Sequence, residues 1–370
     1  MACLIISLII ANSPFGSGFE NLLSQEIGYK SDNLALRYSV LLWINDGLMA
    51  IFFLLVGLEI KRELKEGELS SLRQATLPVF AAIGGMLAPA AIYSLFNSGT
   101  ATANGWGIPM ATDIAFAVAV LSILGNRVPL SLKVFLTALA IVDDLGAILV
   151  IAIFYSADLH FSYLLYAGGI FALLIIFNLI GLKSLVFYLV PGLFMWYFIH
   201  HSGVHATIAG VLTALTLPTT PGAEESPLEK LEHGLTKPVN FFIMPMFALA
   251  NTNIRIEANM LDGLYSSLGT GIILGLFIGK PLGITLVSWL SVKLKISTLP
   301  TGIKWSQILG AGLLAGIGFT MAIFIALLSF NDPVFQTEAK FSILVASLLS
   351  GFIGYMALRR QSKKIAAVKT

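Results

Sequence analysis

Cysteine and charge are what this sequence has least of: one Cys, Cys3, and 22 basic plus 20 acidic side chains in 370 residues. A lone thiol closes no internal disulfide, so cysteine usage says nothing for an oxidising compartment. Charged residues are 11% of the chain and hydrophobic ones 57%, against roughly 25% and 45–50% in soluble domains, which excludes an ordinary water-soluble globule. The net charge of +2 excludes an electrostatic nucleic-acid binder. The apolar N-terminus MACLIISLIIA has no basic stretch before it and no clear small-residue cleavage site after it, so it does not read as a signal peptide.

What is present is a succession of apolar runs. A bilayer-spanning helix needs about 20 apolar residues. Such runs occur near 39–60, 76–96, 105–124, 130–156, 162–181, 184–200, 204–218, 238–254, 268–291, 307–330 and 339–358. The eleven apolar residues at the N-terminus read as a truncated first helix or a short interfacial piece, which brings the expected count to about twelve. Cytoplasmic loops collect Lys and Arg. Seventeen of the 22 fall on one side of this alternation, Lys30, Arg37, Arg255 and Lys340 on the other, and Lys280 inside a span. That split places both termini in the cytoplasm. The longest connections, 12–38 outside and 219–237 inside, are too short for separate domains, so the chain reads as one integral membrane domain over 1–370.

Six charges remain inside the runs: Asp46, Glu59, Asp113, Asp143, Asp144 and Lys280. Each costs about 2.5–3.5 kcal/mol at a helix centre. Glu59 adjoins Lys61 and Arg62 and reads as an interfacial residue. Asp46, in LLWINDGL, is near its helix's outer end and is expected to hydrogen-bond Asn45 and neighbours. The other four lie at membrane depth, where an ionisable residue marks a pathway by default. Asp143 and Asp144 sit mid-span in FLTALAIVDDLGAILVIAIFY; as helical neighbours they point about 100° apart, so one meets a fixed charge while the other meets a mobile cation.

Asp113 follows Gly105, Gly107, Pro109 and Thr112, a stretch that interrupts a helix. A second interruption, LGAGLLAGIGFTMAIFIA, carries Gly310, Gly312, Gly316 and Gly318 before Thr320; close helix packing through small residues explains it equally well. The two are the middle members of spans 3–5 and 10–12, triplets that run in opposite senses. This is the inverted-repeat pattern of secondary transporters, with broken helices crossing near the midplane. On that pattern Asp113 balances the first break and Lys280 the second.

The segments ATDIAFA (111–117), ALAIVDDLGA (138–147), LLWINDGLMAIFFLLVGLEIKRE (41–63), SGVHATIAG (202–210), IGKPLGI (278–284) and GIGFTMAIFIA (316–326) together resemble the NhaA-type sodium/proton antiporters, in order from about residue 39 to 358. The resemblance implies an all-α polytopic transporter of the bacterial inner membrane that is electrogenic, pH-regulated, not an enzyme and without a cofactor. It exchanges Na+ or Li+ for H+. Asp143 and Asp144 are then the ion-binding pair, with Thr112 and Asp113 the polar groups of the unwound helix and Lys280 the partner of Asp143. Glu59, Glu63, Glu232 and His233 resemble the family's pH-responsive cluster, and His205 its histidine that shifts pH dependence. A homodimer contacting through 12–38 is also implied. The sequence starts inside the first helix of the family pattern.

The chemistry requires groups that hold either protons or a hard cation, and carboxylates beside freed backbone carbonyls supply that. Asp113 and Asp143 on different helices also suit an intramembrane aspartyl protease. Lys280 fits that chemistry badly, and Ala140, Ile141 and Val142 stand where such proteases carry a glycine motif. A channel lacks its ring of pore-lining charges. His200, His201 and His205 match no standard zinc spacing.

Overall fold

Bilayer depth offers no water to backbone N–H and C=O groups, so a chain this apolar closes its hydrogen bonds within helices. The computed structural model of the protein is accordingly helical, and describes residues 2–31, 34–156, 159–219, 225–256 and 260–368. Residues 32–33 and 220–224 of the two long connections lie outside the described residues.

In chain order the elements are α1 (Ala2–Ala11), α2 (Gly16–Ser24), β1 (Glu26–Ser31), β2 (Leu34–Ser39), α3 (Val40–Lys65), α4 (Leu72–Asn97), the interrupted α5 (Ala103–Leu124), α6 (Leu130–Phe154), α7 (Phe161–Leu179), α8 (Val186–His201) and α9 (Ile208–Thr216). Next comes α10, which runs from Pro227–Pro238 through a π-helical turn, Val239–Ile243, into Met244–Asn251. Then follow α11 (Ser267–Lys293), α12 (Trp305–Ala315), α13 (Phe319–Ser329) and α14 (Pro333–Val368). The 12–38 segment, expected as a plain loop, holds α2 and an antiparallel hairpin in which Glu26 pairs with Ser39 and Tyr29 with Leu36.

Among the described residues seven helices are long and apolar enough to cross a bilayer: α3, α4, α5, α6, α7, α11 and α14. The number reaches nine if the bent pairs α1–α2 (108°) and α12–α13 (50°) each count as one span. The expected runs 184–200, 204–218 and 238–254 are helical too, but over shorter stretches: α8 has 16 residues, α9 has 9 and the last piece of α10 has 8.

The chain divides into two compact units. One comprises Met1–Arg62 and Ile151–Ile256, with Leu58, Leu174, Tyr188, Met195, Leu217 and Leu228 in its core. The other comprises Glu63–Val150 and Glu257–Thr370 and holds both triplets of the proposed repeat. In it α4 crosses α11 at glycines: a Cβ on Gly84 would strike the Gly283 carbonyl, and one on Gly283 the Gly84 carbonyl. Absent side chains thus set this approach.

Both interruptions occur where glycine and proline put them. Ala103–Met110 is a 3₁₀ helix, Ala111 to Asp113 are extended, and Ile114–Leu124 resumes as α-helix. The second break falls at 316–318, between α12 and α13. The breaks lie against each other: the Asp113 N–H donates to the Ile317 carbonyl at 2.7 Å and the Thr112 hydroxyl to that of Ala315 at 2.9 Å.

Thermal unfolding in detergent checks the crossing. Gly283→Val lowers the midpoint by the cost of overpacking, about 1–3 kcal/mol. Gly168→Ala, on α7 with open space at its Cβ, leaves stability unchanged or raises it by up to about 1 kcal/mol.

Candidate functional site

Thr112, Asp113, Asp143, Asp144, Lys280 and Thr320 are each 3% exposed or less, all within the unit that carries the two breaks. Asp143 and Asp144 lie at the middle of the 25-residue α6. Asp143 Oδ2 is 2.7 Å from Lys280 Nζ, while its Oδ1, also buried, has no hydrogen-bond partner among the described residues.

Lys280 owes its position to the proline after it. Pro281 has no N–H for the carbonyl one turn back. The preceding turn, Gly275–Gly279, widens to a π-helix, in which the Lys280 N–H reaches back to the Gly275 carbonyl. The same device precedes Pro245 in α10. π-turns inside α-helices are frequent at functional sites. The Lys280 ammonium also donates to the Met110 carbonyl, at the C-terminal end of the first half of α5. A half-helix C-terminus carries partial negative charge and no further N–H partner, so the ammonium answers both needs. Lys280, expected to balance the second break, therefore serves the first.

Asp113 does the converse. Its Oδ1 accepts the Phe116 N–H at 3.1 Å, capping the second half of α5, and its Oδ2 accepts the Thr320 N–H at 3.1 Å and the Thr320 hydroxyl. One carboxylate thus answers the positive N-terminal ends of both resumed helices. Thr320 had no role in the sequence reading, although it follows the second break much as Thr112 lies in the first.

The remaining expected residues lie elsewhere. Glu232 is 5% exposed and pairs at 2.9 Å with Arg62, a partner the sequence did not suggest. The adjacent Lys61 donates to the Leu215 and Leu217 carbonyls at the end of α9, at 2.7 and 2.5 Å. His233 faces Glu225 at 2.7 Å on an exposed surface, and does not share the Glu232–Arg62 contact. Glu63 Oε2 accepts the Glu68 N–H at 3.0 Å. Glu59 is half-buried on α3, and His205 half-buried in the turn before α9. The Ser226 N–H and hydroxyl hold the Glu229 carboxyl below the usual carboxylate range, so this cap stays charged at neutral pH. Asp46, expected to bond Asn45 and neighbours, instead meets His200 Nδ1 at 3.2 Å, while Asn45 and Asn251 exchange amide hydrogen bonds of 3.2 and 2.7 Å.

Comparison with known proteins bears on this geometry. The family model described as Na+/H+ antiporter 1 matches residues 1–358. The chain is 64% identical over 364 residues to "Na(+)/H(+) antiporter NhaA 2" of Flavobacterium johnsoniae, covering 98% of this chain and 89% of that one. It is 53% identical over 359 residues to "Na(+)/H(+) antiporter NhaA" of Flavobacterium psychrophilum, covering 97% and 91%. To the protein so named in Oleidesulfovibrio alaskensis it is 49% identical, covering 97% and 90%.

A double-mutant cycle on thermal unfolding checks the buried pair. Lys280→Met alone leaves Asp143 without its countercharge and costs about 3–5 kcal/mol, whereas Lys280→Met with Asp143→Leu recovers most of that loss.

Proposed function

The chain belongs to the Na+/H+ antiporter 1 family and is a multi-pass membrane transporter, not an enzyme, that exchanges Na+ for H+; from that premise we propose that Asp143 and Asp144 hold the two ions in turn. The observation that carries this reading is the divided state of Asp143, with one carboxylate oxygen on Lys280 and the other buried without a hydrogen-bond partner among the described residues. Burial favours the protonated form of a carboxylic acid, while a neighbouring cation, ammonium or Na+, favours the ionised one. Protons and Na+ therefore compete for the same oxygens, and this competition is the coupling. Asp144, the Thr112 hydroxyl and carbonyls at the breaks complete an oxygen donor set suited to a hard cation. Asp113 and Lys280 keep the half-helix ends neutralised while the site changes charge.

Two carboxylates against one monovalent ion allow more than one proton per Na+, which makes exchange electrogenic. Lys280 releasing its proton as Asp143 takes Na+ is a second route to the same count. Alternating access then carries the site between faces. The distribution of basic residues supports cytoplasmic termini, and we read a bacterial inner-membrane protein of about twelve spans in one domain over 1–370. Exchange of cytoplasmic Na+ or Li+ for external H+, a homodimer through 12–38, and a pH response involving Glu59, Glu63, His205, Glu232 and His233 belong to the same reading. The protease alternative has no support in a family of antiporters.

Everted vesicles loaded with acridine orange test the assignment. Na+ and Li+ restore fluorescence across a pH series and K+ does not. Asp144→Asn abolishes the response while the protein stays folded and monodisperse; normal exchange in that variant sinks the assignment.

A further inference from the structure

The start of α3 is a π-helical turn, Trp43–Leu48, fastened on several sides. The Trp43 indole N–H donates to the Ile27 carbonyl of β1 at 3.0 Å. Asn45 exchanges amide bonds with Asn251 on α10. The Asp46 carbonyl accepts the Trp196 indole N–H at 3.4 Å, and its carboxylate meets His200 Nδ1 at 3.2 Å, both from α8. The His200 ring lies in an aromatic box, stacked on Trp196 (centroids 5.7 Å, 19°) and edge-on to Tyr38 (4.8 Å, 72°). Aromatic faces favour a cation, as the carboxylate does. The side chains of His200 and Asp46 are 16% and 14% exposed, shielded yet within reach of solvent protons.

We propose that Asp46 and His200 form a pH-dependent latch, closed while His200 is protonated and released when it is not, through which the pH at this face regulates exchange. The side rests on the orientation proposed above, which puts the hairpin and the start of α3 outside; the latch itself does not.

Among the described fastenings of this turn, the Asp46–His200 contact is the one that contains a histidine, the side-chain type whose ordinary charge change falls between about pH 5 and 8. His201 is engaged otherwise. Its Nδ1 lies 2.9 Å from the Tyr197 carbonyl, which can only accept, so Nδ1 carries a hydrogen, and its Nε2 lies 3.3 Å from the Tyr38 hydroxyl. Burial, Tyr197 and Asp46 push the Tyr38 phenol above its ordinary range, so it stays neutral. His205, from the turn before α9, lies within electrostatic reach of Asp46 and His200 and modulates the latch. From α7, Tyr163 packs on His201 at 5.6 Å, with His160 beyond it. Arg37 on β2 is occupied by Glu26 at 3.1 Å. Deprotonating His200 replaces an ion pair by, at most, a neutral donor on a carboxylate, freeing the start of α3 as pH rises.

The whole chain, purified in detergent, tests the latch by tryptophan emission, because a protonated imidazole stacked on an indole quenches it. Wild type shows a quench on acidification that is lost in His200→Gln and moved to more acid pH in Asp46→Asn. Proteoliposomes with the pH set separately on each side test the regulation. Na+-driven proton exchange rises by roughly fivefold as the pH of the hairpin side rises, the ratio separating a charge-assisted from a neutral hydrogen bond. That rise is lost in His200→Gln and kept in His201→Gln. An unchanged acid quench in His200→Gln, or an unchanged pH response in the same variant, overturns the proposal. A His200-dependent response confined to the face away from the hairpin also overturns it, because His200 and the hairpin lie together. Failure of Na+ to drive protons in wild type at any pH counts against the exchange reading, while the fluorescence titration still decides the latch.

Discussion

A charge at bilayer depth has to be answered by another group of the same protein, and the arrangement around Lys280 follows from that constraint. Four such charges, Asp113, Asp143, Asp144 and Lys280, carry an insertion cost on the order of 10 kcal/mol together, comparable with the whole net stability of a typical domain, about 5–15 kcal/mol. No fold keeps them without recovering most of that sum. Recovery here uses backbone as well as side chains: broken helices expose carbonyls and N–H groups at mid-membrane, and the ammonium and the Asp113 carboxylate take them up. Gly84 and Gly283 at the crossing and Pro281 after the π-turn all serve to bring α4, α5 and α11 close enough for this.

Two of the three aspartates so placed, Asp113 and Asp143, differ in how fully they are satisfied, and that difference separates scaffold from site. Asp113 accepts hydrogen bonds on both oxygens from two helix starts, so protonating it or lending it to a cation would cost both caps. Among the described residues Asp143 is hydrogen-bonded on one oxygen only, by the Lys280 ammonium. A carboxylate that can exchange partners without dismantling a helix end is the one suited to carry ions, which supports the roles proposed for Asp143 and Asp113.

The sequence exposed the membrane class, the two interrupted helices and the four buried charges, because each departs from composition or period in a way that a single chain displays. It did not expose which charge answers which break. Lys280 and Met110 are 170 positions apart, and only the crossing of α5 with α11 joins them. Thr320 escaped for the same reason, since a threonine after a glycine-rich break is unremarkable until Asp113 is seen opposite it. The run at 204–218 shrinks to the 9 residues of α9 because the turns after His201 continue to Thr207. Arg62 with Glu232 and Asp46 with His200 are contacts between distant segments that the local pattern does not encode.

α3 is held near both ends by charge, and the chemistry of the two ends differs. Toward its C-terminal end Arg62 and Lys61 bind Glu232 and the carbonyls of α9, contacts made by a guanidinium and an ammonium. At its start a histidine stands opposite the carboxylate, and histidine is the side-chain type whose ordinary charge change falls near neutral pH. The other histidine–carboxylate contact in this unit, His233 with Glu225, has side chains 66% and 51% exposed, where solvent screening leaves little coupling to the fold. The contact at Asp46 is about four times less exposed and joins two helices rather than two positions of one surface segment. A proton gained or lost there acts on helix packing, so the start of α3 couples protonation to the fold more tightly than the more visible exposed pair does.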